Sequence, residues 1–108
     1  MINQPQRPRW IQYALAFCAG VFLMNLVPHF LMGITGHWFP TPFAEPPGEG
    51  LSNPVTNVLW ASINLVLGLV LAHFSRVARF KIMWLPLGLG ALLMAFYLAS
   101  YFGGLGLW

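Results

Sequence analysis

Three long apolar stretches, none with a formally charged side chain, constrain this chain more than any other feature. They cover residues 10–32, 55–74 and 82–102. About 20 apolar residues cross the hydrocarbon core of a bilayer, because a helix rises about 1.5 Å per residue. Only 6% of the 108 residues are charged, against about 25% in an ordinary soluble domain. The sequence therefore predicts an all-α integral membrane protein, with three transmembrane helices in one membrane domain.

The beginning of the first stretch also has features of a secretory signal peptide. Arg7 and Arg9 precede it, and Ala14-Leu15-Ala16 could form a cleavage site. The apolar run continues well past those alanines, however, and two further runs follow. We therefore expect it to remain as the first transmembrane helix. The single cysteine, Cys18, is expected to be an apolar residue of this helix.

A loop rich in proline and glycine separates the first two helices, over residues 33–53. Prolines and glycines interrupt helical structure at several of its positions, among them Pro40, Pro42, Pro46, Pro47, Gly36, Gly48 and Gly50. Aromatic side chains such as Trp38 and Phe43 favour a position against the membrane surface. Ser52 or Asn53 can cap the second helix, and Pro54 suits its first turn. We call residues 33–53 the Pro/Gly-rich loop.

The basic residues predict the orientation of the chain. Arg7 and Arg9 precede the first helix, and the other three lie in the turn over residues 75–81. With three spans these two regions share one side, which the positive-inside rule places in the cytoplasm. Both acidic residues, Glu45 and Glu49, lie in the Pro/Gly-rich loop. The prediction is a multi-pass protein of the plasma (inner) membrane, with a cytoplasmic N-terminus. The loop and the C-terminus are then outside.

Small and polar residues recur at helical spacing in all three spans. In the second span they form one stripe: Asn57, Ala61, Asn64, Gly68, Ala72 and Ser75. The third span carries a row of small residues at four-residue steps: Ala91, Ala95, Ala99 and Gly103. The first span has the pair Ala16 and Gly20. Small residues let helices approach closely in lipid, so Ala61, Gly68, Ala91, Ala95 and Ala99 are predicted to form the helix-packing seam.

The uncharged polar residues of the spans concentrate in the predicted outer half of the membrane. Unpaired amides in hydrocarbon cost several kcal/mol, at least about 2, so these groups are expected to contact one another, the loop or a ligand. Pro28 is expected to kink the first helix and open a small cavity under a lid formed by residues 37–43. The candidate binding residues are Asn25, His29, His37, Asn57, Asn64 and Tyr97.

Three kinds of chemistry have weaker support. A copper-like site of His29, Met32 and His37, with Glu45 or Glu49, matches no defined metal motif. An enzyme is possible with these histidines and carboxylates as acid and base, but no basic group on the outer side could hold an anionic substrate. Transport would require an oligomer, and the spans lack the charged residues that mark ion pathways. No catalytic residue, metal or cofactor is predicted.

The predicted function is a structural or accessory role through helix–helix packing. Besides the lipid bilayer, the expected partners are further copies of the chain or a larger membrane complex. Five isolated basic residues do not form a nucleic-acid surface. The alternative is an oligomeric transporter or binding protein for a small neutral molecule or lipid, which would use the polar pocket.

Overall fold

The computed structural model describes residues 6–108. This part of the chain contains three long helices and two very short strands: α1 (Trp10–Ile34), β1 (Phe39–Pro40), β2 (Leu51–Ser52), α2 (Pro54–Ser75) and α3 (Trp84–Gly104). A single 3-10 turn, Lys81–Met83, leads into α3. All three helices are long and apolar enough to cross a membrane. The prediction of three long apolar helices is confirmed.

Local sequence explains where the helices begin and end. Asn53 caps α2, since its side-chain oxygen accepts a hydrogen bond from the Thr56 N–H at 2.7 Å, and Pro54 occupies the first position. Helix α1 runs through Pro28 to Ile34, two residues beyond the predicted end. Pro86 stands in the first turn of α3, where its missing N–H has no helical partner to lose.

Helix α1 lies between the other two helices, and its small residues bring it close to both. A Cβ atom on Gly20 would clash with the Leu87 carbonyl of α3, and one on Gly90 would clash with the Phe17 carbonyl of α1. These reciprocal contacts place the backbones of α1 and α3 against each other. On the other side of α1, a Cβ on Gly68 of α2 would lie 2.6 Å from the Leu23 side chain.

The predicted seam of α2 faces α1. Asn57, Ala61, Asn64, Gly68 and Ser75 are buried, and Ala72 is half-buried. The row of α3 lies differently: Ala91 and Ala95 are half-buried, whereas Ala99 and Gly103 are exposed. Gly90 and Leu98 are the buried residues of α3. Four-residue spacing shows which side chains share a face, but it does not show which way that face turns. Within the chain, Ala91 lies against α1, since a Cβ on Gly20 would be 2.8 Å from the Ala91 nitrogen, whereas Ala99 turns outward.

The Pro/Gly-rich loop folds back on itself at the end of the bundle where α1 ends and α2 begins, which we call the loop end. Strands β1 and β2 pair antiparallel, with Phe39 opposite Ser52. The Thr41 and Ser52 hydroxyls lie 2.6 Å apart, and the Gly48 N–H donates to the Thr41 carbonyl at 2.9 Å. Gly48 has a φ of 76°, which glycine adopts without strain. The loop is thus an ordered structure over the helix ends.

Candidate polar site at the loop end

Two hydrogen-bonded pairs of polar side chains join α1 to α2. Asn25 Nδ2 donates to Asn64 Oδ1 at 2.9 Å. One turn further along α1, His29 Nδ1 lies 2.9 Å from Asn57 Oδ1. Asn57 and Asn64 have no exposed surface, and His29 is 3% exposed. The two helices run antiparallel. The earlier residue of α1, Asn25, therefore contacts the later residue of α2, Asn64, and His29 contacts Asn57.

Asn57 also binds the Pro/Gly-rich loop to α2. Its Nδ2 lies 2.9 Å from the Phe39 carbonyl and 3.2 Å from the carbonyls of Ser52 and Asn53. The amide group therefore contacts both strands of the loop and the capping residue of its own helix. One buried side chain connects α1, α2, β1 and β2.

These contacts assign the hydrogens of the network. Since Asn57 Nδ2 faces carbonyl groups, Asn57 Oδ1 is the acceptor and His29 Nδ1 must donate. A neutral imidazole that carries its proton on Nδ1 keeps Nε2 as an acceptor. Likewise, Asn64 Nδ2 donates to the Trp60 carbonyl at 2.8 Å, so Asn64 Oδ1 accepts from Asn25. His29 Nε2 and Asn25 Oδ1 are the acceptors that these bonds leave unused.

A cavity of about 200 Å³ lies beside this network, with walls from all three helices and from the loop. The helices and the loop both line it: Asn25, His29, Trp60, Met94, Tyr97, Leu98, Tyr101 and Phe102 from the helices, and Pro40, Thr41, Pro42 and Gly48 from the loop. The Tyr101 hydroxyl donates to the Gly48 carbonyl at 2.7 Å, which holds the loop over the cavity. The cavity therefore has aromatic walls, and it is also lined by Asn25 and His29, the two side chains that carry the unused acceptors.

The structure brings together five of the six predicted binding residues. Asn25, His29 and Tyr97 line the cavity, whereas Asn57 and Asn64 lie behind it and hold the first two in place. His37 does not join them. It is exposed, with its Nδ1 2.9 Å from the Thr35 hydroxyl. Because α1 continues to Ile34, the turn that follows carries His37 to the surface.

The cover over the cavity uses only part of the predicted lid, residues 37–43, and it includes one residue from further along the loop. Only Pro40, Thr41 and Pro42 of that segment line the cavity, and Gly48 completes the cover. Trp38 and Phe43 are 57% and 62% exposed. The pairing of β1 with β2 explains the difference, since it brings the far side of the loop back over the helices.

Several residues of the cavity were not among the predicted ones. Tyr101 lies one helical turn from Tyr97, and Trp60 lies one turn from Asn64. Helical spacing could therefore have placed both on the correct face. Gly48 lies outside the predicted lid, and no sequence pattern places it there, because its position depends on how the loop folds. Within residues 6–108, no three His, Cys, Asp or Glu side chains converge in a way that could hold a metal ion.

Comparison with known proteins gives no relative for this chain: no protein family, curated protein or solved structure matches it.

Proposed function

We propose that this chain is a multi-pass membrane protein with its N-terminus in the cytoplasm and the Pro/Gly-rich loop outside. The three long apolar helices support a membrane location. The distribution of charge supports the orientation, since all five basic residues lie before α1 or between α2 and α3, and both acidic residues lie in the loop. A bacterial inner membrane or a plasma membrane fits this pattern.

Within that membrane the protein acts as a structural or accessory subunit that associates through its helices. One observation carries this proposal. An apolar groove of about 370 Å³ runs between α1 and α3, and the small residues Ala95 and Ala99 line it together with Val27, Pro28 and Leu31. Small residues on a lipid-facing surface let a further helix approach closely. The part of the α3 row that lines this groove, Ala95 and Ala99, is therefore available to a second copy or another subunit.

Filling the groove tests this role. Ala99→Leu adds bulk at an exposed position, so it should block association while the fold persists. Val70→Phe on α2, also exposed, adds bulk outside the groove and serves as the control. Crosslinking in native membranes should show an assembly for the unchanged protein and for Val70→Phe, and less of it for Ala99→Leu. Equal crosslinking in all three proteins would contradict the proposal.

A second function, the binding of a small neutral molecule or lipid, is favoured by the polar cavity. Its two unused acceptors, His29 Nε2 and Asn25 Oδ1, favour a ligand with hydroxyl or N–H donors, and its aromatic walls favour a partly apolar one. An oligomer could use such a site for transport. The unused acceptors are the specific observation behind this candidate.

Met94→Trp tests the second function, because Met94 lines the cavity and a larger side chain would occupy it. Leu93→Trp changes the neighbouring exposed residue and is the matched control. Mass analysis after mild-detergent purification should find a bound small molecule with the unchanged protein and with Leu93→Trp, but not with Met94→Trp. Retention by all three, or by none, would refute binding in this cavity.

A further inference from the structure

A second polar cavity lies at the opposite end of the bundle, where α1 begins and α2 ends. Its volume is about 260 Å³, and three arginines line it: Arg7, Arg9 and Arg76. Arg7 and Arg9 precede α1, whereas Arg76 directly follows α2 with a φ of 60°. That left-handed conformation is uncommon for a residue other than glycine. Two segments far apart in sequence thus bring three arginine residues to the lining of one cavity.

No carboxylate side chain balances this charge. The only acidic side chains of the chain, Glu45 and Glu49, lie in the Pro/Gly-rich loop at the other end. The 25 residues of α1 separate the two ends by about 38 Å, several times the Debye length of about 8 Å at physiological ionic strength. The cavity therefore has the charge that suits an anion.

The surroundings of the cavity place it at the level of lipid headgroups. Trp10, next to Arg9, is 76% exposed, and Trp84 at the start of α3 is 57% exposed. Exposed tryptophans at the ends of apolar helices are typical of the membrane–water interface. Phe80 gives the cavity an aromatic side. An anion at this depth can belong to a lipid whose acyl chains lie along the apolar faces of the helices.

We infer that Arg7, Arg9 and Arg76 bind the phosphate group of an anionic phospholipid. Guanidinium groups match the oxygens of phosphate through paired hydrogen bonds. The bound headgroup holds the segment before α1 against the turn between α2 and α3. This site is independent of the groove and of the cavity at the loop end.

The experiment uses the full chain in nanodiscs that contain equal amounts of phosphatidylglycerol and phosphatidylcholine. Native mass spectrometry measures which lipid the released protein retains. The unchanged protein should prefer the anionic lipid, and Arg76→Gln should lower that preference about fivefold. Arg79→Gln makes the same charge change three residues further on, but Arg79 does not line the cavity. Its lipid preference should remain that of the unchanged protein.

Three results would overturn the inference. No preference for the anionic lipid would exclude the site. An equal loss of anionic-lipid preference in Arg76→Gln and Arg79→Gln would show that the lipid is attracted to surface charge in general. Displacement of the lipid by inorganic phosphate at millimolar concentration would identify a site for free phosphate instead. Arg76→Lys keeps the charge but loses the paired hydrogen bonds of the guanidinium group, so its preference should lie between those of the unchanged protein and Arg76→Gln. Melting of each variant in detergent separates lost binding from lost folding.

Discussion

At the scale of single residues, Asn57 connects the most elements at the loop end of the bundle, through its side-chain hydrogen bonds. Its side chain is fully buried and contacts His29 and three carbonyl groups. Buried amides of this kind stabilise a structure mainly because their partners would otherwise be left without hydrogen bonds. In an apolar surrounding this cost is larger than in water. Asn57 therefore keeps the loop and two helices in one arrangement.

We predict that Asn57→Leu, which keeps the size of the side chain and removes its polar atoms, destabilises the protein by about 1–3 kcal/mol. The cost arises because His29 and the Phe39 carbonyl lose their partner. Ser62→Ala is the control, since Ser62 is exposed and bonds only within its own helix, and it should change stability by no more than about 0.5 kcal/mol. Unfolding in detergent measures both. Similar stabilities for the two variants would contradict the role of Asn57.

The two tyrosines of α3 provide a second prediction. Tyr101→Phe removes the hydrogen bond to the Gly48 carbonyl and should cost about 1 kcal/mol of local stability in the loop. Tyr97→Phe removes a hydroxyl from a side chain that is 58% exposed and should leave the loop unchanged. Hydrogen exchange of the amides in residues 43–50 should be faster in the first variant only. Unaltered exchange in Tyr101→Phe would show that this bond does not hold the loop.

At the scale of secondary-structure elements, glycine determines how α1 meets α3. Gly20 and Gly90 each lie against a carbonyl group of the other helix, so the backbones themselves are in contact. Such close approach favours packing between helices in lipid, where burial of apolar surface supplies little driving force. The position of Gly90 also fixes the rotation of α3. That rotation turns Ala99 and Gly103 outward and exposes the groove.

Gly90→Ala is predicted to destabilise the protein by about 1–3 kcal/mol, because the added methyl group meets the backbone of α1, which cannot move aside as a flexible side chain would. Gly88→Ala places a methyl group in open space two residues earlier and should be neutral or stabilising, by up to about 1 kcal/mol. Thermal unfolding in detergent compares them. A stability loss of equal size in both would contradict the close contact.

The helices could be predicted from the sequence more completely than the candidate site. Uncharged apolar runs and the Asn53–Pro54 signal located the helices to within a few residues, because both depend on local sequence. The face that Asn57 and Asn64 share also followed from helical spacing. The exposed position of His37 and the cover by Gly48 could not be predicted in this way, since they depend on the fold of the Pro/Gly-rich loop. The rotation of α3 depends on Gly90, whose backbone contact is not evident from spacing.

At the scale of the whole molecule, the two ends of the bundle differ in chemistry. The loop end has a closed network of neutral hydrogen bonds, a small cavity and both acidic residues. The opposite end has three arginines around a second cavity. Between them the helices present mainly apolar side chains to their surroundings. This difference between the two ends suits a protein with one fixed orientation in a membrane. Its lateral faces are then free for lipid or for other helices.

The proposed orientation leads to a direct prediction. A reporter fused after Trp108 should be located outside the cytoplasm, and the same reporter inserted after Arg79 should be located inside. Alkaline phosphatase, which is active only outside, measures both fusions. A C-terminal fusion that is inactive although the protein is made in normal amounts would reverse the proposed topology.

The proposed role as an accessory subunit depends on association through the groove between α1 and α3. Native mass measurement after purification in mild detergent tests this most directly. We expect an assembly of several copies, or of this chain with another membrane protein, and we expect Ala99→Leu to reduce that assembly to the single chain. A single chain in the unchanged protein, with no partner and with a small molecule retained, would contradict the accessory role and favour binding at the polar cavity.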